Sequence, residues 1–300
     1  MIVPGKKIVE ICVAGDKHLE TECAKYYNKK VEGVKVEKGV AIPTCVSVNE
    51  QVSYNCPDME NKDVLEEGQA VKIDMGAHID GYIAHQAVTI VCQKEGSNDK
   101  ITGKQADVIK ACVVAQEVAG RVLRPGKTTT DVSNAITKVA EDFGVHCVEG
   151  VLSHNMKRFA IDGNKVVLLK KTPEMKADDH EIALHDVFGL DIVMTTGEGK
   201  LSQKDEKETQ VYKSIGEDVL SQNESVSRCV LRYLQQISVF SFRSEKSRRF
   251  DRKSWFTRML ETRFVGSVPG VVRKVWRMCS ACQNDHLSHG QRERQNYESR

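Results

Sequence analysis

The chain has 300 residues, 40% hydrophobic and 29% charged, with a formal net charge of +2 at pH 7. That is ordinary for a folded globular chain of one large domain or two smaller ones. No apolar run is long enough for a membrane-spanning helix, which excludes an integral helical membrane protein. The start, MIVPGKK, puts Pro4, Gly5 and two lysines where a secretory signal needs its apolar stretch. Ten cysteines without a secretory context read as reduced thiols, mostly small core residues.

In chain order, Ile8 to about Lys29 predicts a helix interrupted near Gly15. The lysine-rich segment Lys25–Lys38 (Lys25, Lys29, Lys30, Lys35, Lys38), which overlaps its end, suits a solvated face, or contacts to phosphates. Val40–Val48 predicts a strand. Val71–Val91, VKIDMGAHIDGYIAHQAVTIV, predicts a hairpin turning at Asp80-Gly81, because both turn residues tolerate positive φ. Asp74 then stands opposite Ala87, and His85 is its diagonal neighbour on the same face, about 7–8 Å away at the backbone. A carboxylate and an imidazole together suit a metal ion; the wet face of an antiparallel hairpin accounts for them as simply. Ala106–Leu123 predicts a helix with Ala106, Ile109, Val113, Gln116 and Ala119 on one stripe, ended by Pro125-Gly126. A second helix is capped by Thr130 and closed by Gly144, with Val132, Ala135, Ile136, Val139, Ala140 and Phe143 as its apolar residues. Strands return at Val166–Leu169 and Val187–Met194, completing an α/β pattern.

The charge is divided. Residues 1–213 hold 28 Lys and Arg against 33 Asp and Glu, a net of −5, whereas residues 214–300 hold 16 against 9, a net of +7. Thirteen arginines follow Lys213 and only Arg121, Arg124 and Arg158 precede it. Two patterns fail on spacing. Cys279-x-x-Cys282 lies too close to His286 and His289 for a zinc finger. Gly197-Glu-Gly-Lys200 would need a glycine at position 194 to be a phosphate loop, and Met194 stands there.

Five runs in order resemble the methionine aminopeptidase superfamily, the pita-bread fold. They are Gly39–Asn49 (GVAIPTCVSVN), the Val71–Val91 hairpin, Glu149–His154 (EGVLSH), Ile161–Gly163 and Asp186–Gly199 (DVFGLDIVMTTGEG). Their spelling is similar to one branch, the proliferation-associated, ErbB-receptor-binding proteins, and the likeness runs from about Ile8 to Lys213. It implies an α/β (α+β) pita-bread fold of the methionine aminopeptidase/creatinase type over 1–213, incomplete at both ends. For 214–300 the resemblance suggests a frame-shifted translation or a disordered basic tail. The family's Met-Lys-Ala-Ser, encoded ATG-AAA-GCN-TCN after an A and read one nucleotide out of frame, gives Asn-Glu-Ser followed by Val, Leu, Ile or Phe. Asn223-Glu224-Ser225-Val226 stands here. At the other end, the family's amphipathic helix ahead of the segment like Lys6–Gly15 is expected to be missing.

The resemblance also assigns the chemistry. Active members hold two metal ions about 3.5–4 Å apart, bridged by carboxylates whose two oxygens bind different ions. An imidazole offers one lone pair and cannot bridge. By resemblance Asp74 and His154 keep ligand positions, Asp191 shortens a glutamate by one methylene, His85 replaces the first bridging aspartate, and Tyr54 takes the place of a substrate-side histidine. The second bridge belongs near the C-terminus, where the chain departs from the family. The expectation is a non-catalytic protein without a cofactor. It binds RNA or ribosomal particles and regulatory proteins in growth control and ribosome biogenesis, in cytoplasm, nucleus and nucleolus, with no membrane partner. The alternatives are a metal-dependent methionine aminopeptidase, a single Zn, Mn or Co ion held by Asp74, His85, His154 and Asp191, or a non-functional fragment.

Overall fold

The computed structural model describes residues 2–97, 99–173, 175 and 177–201, and within the tail 205–206, 211–214, 241–243, 265–267, 272–273 and 279–287. Three helices, α1 (Ile8–Cys23), α2 (Gly103–Val122) and α3 (Thr129–Asp142), pack on one face of a mainly antiparallel sheet. The strands are β1 (Lys38–Val48), β2 (Ala70–Ile79), β3 (Tyr82–Val91), β4 (His146–Cys147), β5 (Leu152–Met156), β6 (Val166–Leu168) and β7 (Val187–Thr195). The tail adds β8 (Asp205–Glu206), β9 (Val211–Ser214), β10 (Ser241–Arg243), β11 (Val265–Ser267), β12 (Val272–Arg273) and β13 (Cys279–Leu287). The large sheet runs β1-β2-β3-β13-β7-β5-β6, with β4 also on β7; β10-β9-β11 and β12-β8 form two small sheets.

The hairpin turns where its sequence dictates. Asp80 and Gly81 have φ of 54° and 80°, the doubly positive pair of a I′ turn, and Ile79 pairs with Tyr82. In β1 the register shifts on either side of Ile42. Pro43, just beyond Ile42, has no N–H to give the ladder. The next amide, Thr44, donates instead to Asp16 Oδ1 at 2.7 Å. Gly15 therefore does not interrupt α1. It makes room, because a Cβ there would meet the Thr44 side chain at 2.5–2.9 Å.

Two further expectations are corrected. Thr128, not Thr130, caps α3: its side chain accepts from Asp131 N–H while the Asp131 carboxylate accepts from Thr128 N–H. Only Thr128 has an acid three residues on, as a reciprocal cap requires. Thr130 donates its N–H to Asp179. On α2 the buried stripe is Val108, Ala111, Cys112, Ala115 and Ala119, rotated from the expected one, and Val113 is exposed. Small side chains let this helix approach the sheet closely, while Ile109, Val114 and Val118 pack at its flanks.

The core follows from strand alternation. Phe188, Leu190, Ile192 and Met194 of β7 are fully buried beneath α2 and α3. Val46, Val71 and Ile73 meet Ile8, Ile11 and Cys12 of α1. Fully burying one such side chain contributes about 1.5–3 kcal/mol. The residues between them on each strand face the opposite side, and the candidate site lies there. Among the described residues no helix is long and apolar enough to cross a membrane.

The tail was expected not to complete the fold. Its described strand β13 nevertheless pairs with β3 and along the whole of β7. The Cys279-x-x-Cys282 pattern lies within β13. Asn223–Val226 lies outside the described residues.

Candidate functional site

The sheet register gathers the site. One row crosses five strands through Cys45, Asp74, Ala87, Gln283 and Asp191, each directly opposite the next. Opposed residues of antiparallel strands share a face. His85 is two residues from Ala87 and pairs with Gly76; His154 pairs with Gly189, two residues from Asp191. Asp74, His85, His154 and Asp191 therefore belong to the sheet face that the helices leave uncovered.

Within this face Asp74 and His85 engage each other. Nε2 of His85 lies 2.7 Å from Oδ1 of Asp74, and both side chains are more than nine-tenths buried. With the carboxylate as acceptor, the imidazole N–H donates. Asp191 is held through its backbone: its N–H donates to Ser153 Oγ at 2.8 Å, and the Ser153 hydroxyl donates to its carbonyl at 3.3 Å. Tyr54 packs with Cys45, Cys56 and Val211 at the β1 end of the row. Burial, then the charges of Asp191 and Asp74, push its hydroxyl well above the ordinary tyrosine range. Asp162 acts on it in the same direction.

Asp162 was not among the expected site residues. It arrives on the turn after β5, where Gly163 donates its N–H to Asn155 O at 2.7 Å. A Cβ on Gly163 would lie 2.0 Å from Asn155 Oδ1, which accounts for glycine there. Gln283 was missed as well, because its position follows from tail pairing that carries no local pattern. Ser153 and the packing of Cys45 with Cys56 were equally invisible in the sequence.

The chemistry of this arrangement is limited. The His85 imidazole is taken up by the Asp74 carboxylate. Among the described residues no group of three or more His, Cys, Asp or Glu is arranged to hold a metal ion. The carboxylates of Asp74, Asp162 and Asp191 make the face acidic. Beside it, a pocket of about 450 Å³ is lined by Leu152, Val166, Leu168 and Met175 with Asp178 and His180.

The five lysines lie elsewhere: Lys25, Lys29, Lys30 and Lys35 between α1 and β1, and Lys38 at the start of β1. Lys25 pairs with Glu22 at 2.6 Å. Lys38 donates to Tyr26 O and to Asn28 Oδ1. Lys29, Lys30 and Lys35 are exposed and have no ion-pair partner among the described residues.

Comparison with known proteins places these observations. The profile of metallopeptidase family M24 matches residues 6–186. The chain is 48% identical over 210 residues to the ErbB-3 binding protein 1 of Arabidopsis thaliana, covering 70% of this chain and 52% of that one. It is 45% identical over 207 residues to proliferation-associated protein A of Dictyostelium discoideum, covering 69% and 53%. It is 35% identical over 215 residues to the curved DNA-binding protein of Schizosaccharomyces pombe, covering 70% and 54%. The chain thus spans about half the length of these relatives. Among solved structures, a thermophilic Arx1 superposes with a TM-score of 0.77 at 23% identity, covering 95% of this chain and 81% of its own. A methionine aminopeptidase from Thermotoga maritima gives 0.53 at 22%, covering 68% and 75%. At these identities the two structures speak for the pita-bread fold alone.

Proposed function

This chain belongs to the M24 metallopeptidase family, in the branch of the ErbB-3-binding and proliferation-associated proteins, and from that premise we propose that it is a non-catalytic member that binds RNA or ribosomal particles and regulatory proteins. The observation that carries this reading is the 2.7 Å contact of His85 with Asp74. A hydrolytic two-metal centre needs bridging carboxylates to hold its ions and generate hydroxide. Here the bridging position is an imidazole turned onto its own neighbour. The name of the fission yeast relative refers to nucleic acid and that of the Arabidopsis relative to a receptor; both agree with a binding role. The reading places the protein in growth control and ribosome biogenesis, in cytoplasm, nucleus and nucleolus. It takes residues 1–213 as the binding body and 214–300 as a basic, frame-shifted tail.

RNA is assigned to the lysine segment, not to the site face. Asp74, Asp162 and Asp191 repel phosphate, whereas Lys29, Lys30 and Lys35 attract it. Each lysine–phosphate pair releases condensed counterions, so binding weakens steeply with salt. Replacing Lys29, Lys30 and Lys35 with Glu is expected to weaken RNA binding on the order of tenfold or more. The salt slope should fall by about 0.7 for each phosphate that is no longer neutralised. Asp74→Ala and His154→Ala are expected to leave both nearly unchanged. Salt-dependent titration of the three proteins checks this. Loss of RNA in the site variants with retention in the lysine variant would refute the assignment.

A further inference from the structure

Residues 24–35, between α1 and β1, are exposed without interruption. They carry four large apolar side chains in water: Tyr26 is 57% exposed, Tyr27 61%, Val31 59% and Val34 71%. Leaving these groups wet forgoes burial, and clustered exposure of this kind marks a contact surface. The segment is preformed. Val31 and Val34 exchange two N–H···O bonds of 2.9 Å across Glu32 and Gly33, whose φ are 51° and 82°. Lys38 grips Tyr26 O and Asn28 Oδ1, and Asp80 N–H donates to Glu37 O at 2.6 Å, anchoring the returning strand to the hairpin turn. Ordering entropy is therefore largely spent before any partner arrives.

We propose that this finger is a binding site for single-stranded RNA, in which the rings of Tyr26 and Tyr27 stack on bases and Lys29, Lys30 and Lys35 meet the phosphates around them. The inference rests on the RNA-binding reading above and adds which form of RNA is bound and by what. Two adjacent exposed rings, followed after Asn28 by lysines without ion-pair partners among the described residues, match the stacking-plus-cation pattern of single-strand sites. A duplex keeps its base faces stacked on one another and buries its major groove, so it offers the rings nothing. An anionic bilayer is the rival occupant. It suits this finger less, because Lys29 and Lys30 lie between the tyrosines and the valine turn. Insertion by the tip would carry Lys29 and Lys30 into the apolar layer before the rings reached it.

The test uses the full chain and a labelled RNA strand of about 12 nucleotides, the same strand annealed to its complement, the DNA strand of that sequence, and phosphatidylserine-containing vesicles. The RNA strand is expected to bind at least about tenfold tighter than the duplex, with a salt slope near −2 for three phosphates at about −0.7 each. Tyr26→Ala with Tyr27→Ala is expected to weaken strand binding on the order of tenfold per ring while leaving that slope unchanged. Tyr26→Phe with Tyr27→Phe retains affinity, because the ring face is kept. A double alanine variant that binds like the parent overturns the stacking. So does equal affinity for strand and duplex, tighter binding of the DNA strand than of the RNA strand, or ring-dependent capture by vesicles instead of RNA. If the lysine variant loses RNA while the alanine variant keeps it, stacking fails and the RNA reading stands. If no RNA binds at any salt, both fail.

Discussion

The phenol of Tyr54 sits in a desolvated place with the carboxylates of Asp191 and Asp74 nearby, and both conditions penalise its anion. Its folded pKa is raised above the value of about 10 for a free tyrosine. The stability linked to it is fully present below pH 10 and is lost as pH rises through the folded value, since only the unfolded chain gives up the proton. The loss reaches about 1.4 kcal/mol per pH unit once the unfolded phenol is ionised. Denaturant unfolding at pH 9 and pH 11 is expected to show Tyr54→Phe losing less stability over this interval than the parent. Equal losses would mean that Tyr54 ionises like a surface residue. At this scale the sequence told much about Asp74 and His85, because the Asp80-Gly81 turn determines which residues oppose each other. It did not tell that the imidazole would rest on the carboxylate. That depends on side-chain torsions and on crowding from strands distant in the chain. Asp162 stayed hidden for a similar reason: a tertiary contact, Gly163 on Asn155, delivers it.

Among the elements, the tip of the β2–β3 hairpin is fastened to the turn after β5. Arg158 Nε donates to Asp80 O at 2.9 Å and its Nη2 to Asp80 Oδ1 at 2.7 Å. Phe159 N–H donates to Gly81 O at 2.9 Å. The guanidinium also lies over the rings of Phe159 and Tyr82, 5.2 and 5.9 Å from their centroids. A Cβ on Gly81 would stand 2.6 Å from the Phe159 ring, at a φ of 80° that disfavours any side chain. Gly81→Ala is expected to cost on the order of 1–3 kcal/mol. Part of that cost, the collision but not the backbone term, should vanish in a Phe159→Ala background. Urea midpoints of the two single variants and the double variant measure the coupling; simple additivity would show that the ring does not press on the turn. The hairpin itself was readable from Asp-Gly between alternating strands. The helices were readable in type but not fully in extent or rotation: α1 stops at Cys23, short of the expected Lys29, and the α2 stripe turned on small residues, whose packing value exceeds their hydrophobicity. The α3 cap was misplaced within three consecutive threonines because the deciding residue, Asp131, lies beyond them.

For the whole molecule the family likeness spelled out the sheet and the helical layer, while β13 could not be foreseen, since nothing local in Cys279–Leu287 names its neighbours. The molecule is expected not to release N-terminal methionine from peptides with Co²⁺, Mn²⁺ or Zn²⁺ added, because two-metal chemistry needs bridging carboxylates and the resemblance expects the first of them at the position of His85. His85→Asp alone should not restore turnover, because Tyr54 still stands at the position where the resemblance expects a substrate-side histidine and the second bridge is not restored. A peptide-release assay decides this; metal-dependent turnover abolished by Asp74→Ala would promote the aminopeptidase alternative. The fastening of Asp80–Gly81 to Arg158–Phe159 has a wider effect. In sheet order β3 and β5 are separated by β13 and β7, yet this contact joins them directly, 78 residues apart in the chain. The two halves of the sheet are thus tied at a point that does not pass through the tail strand. Neither half can open without breaking that tie, so their amides should exchange with solvent as one cooperative unit whether or not the tail strand is in place.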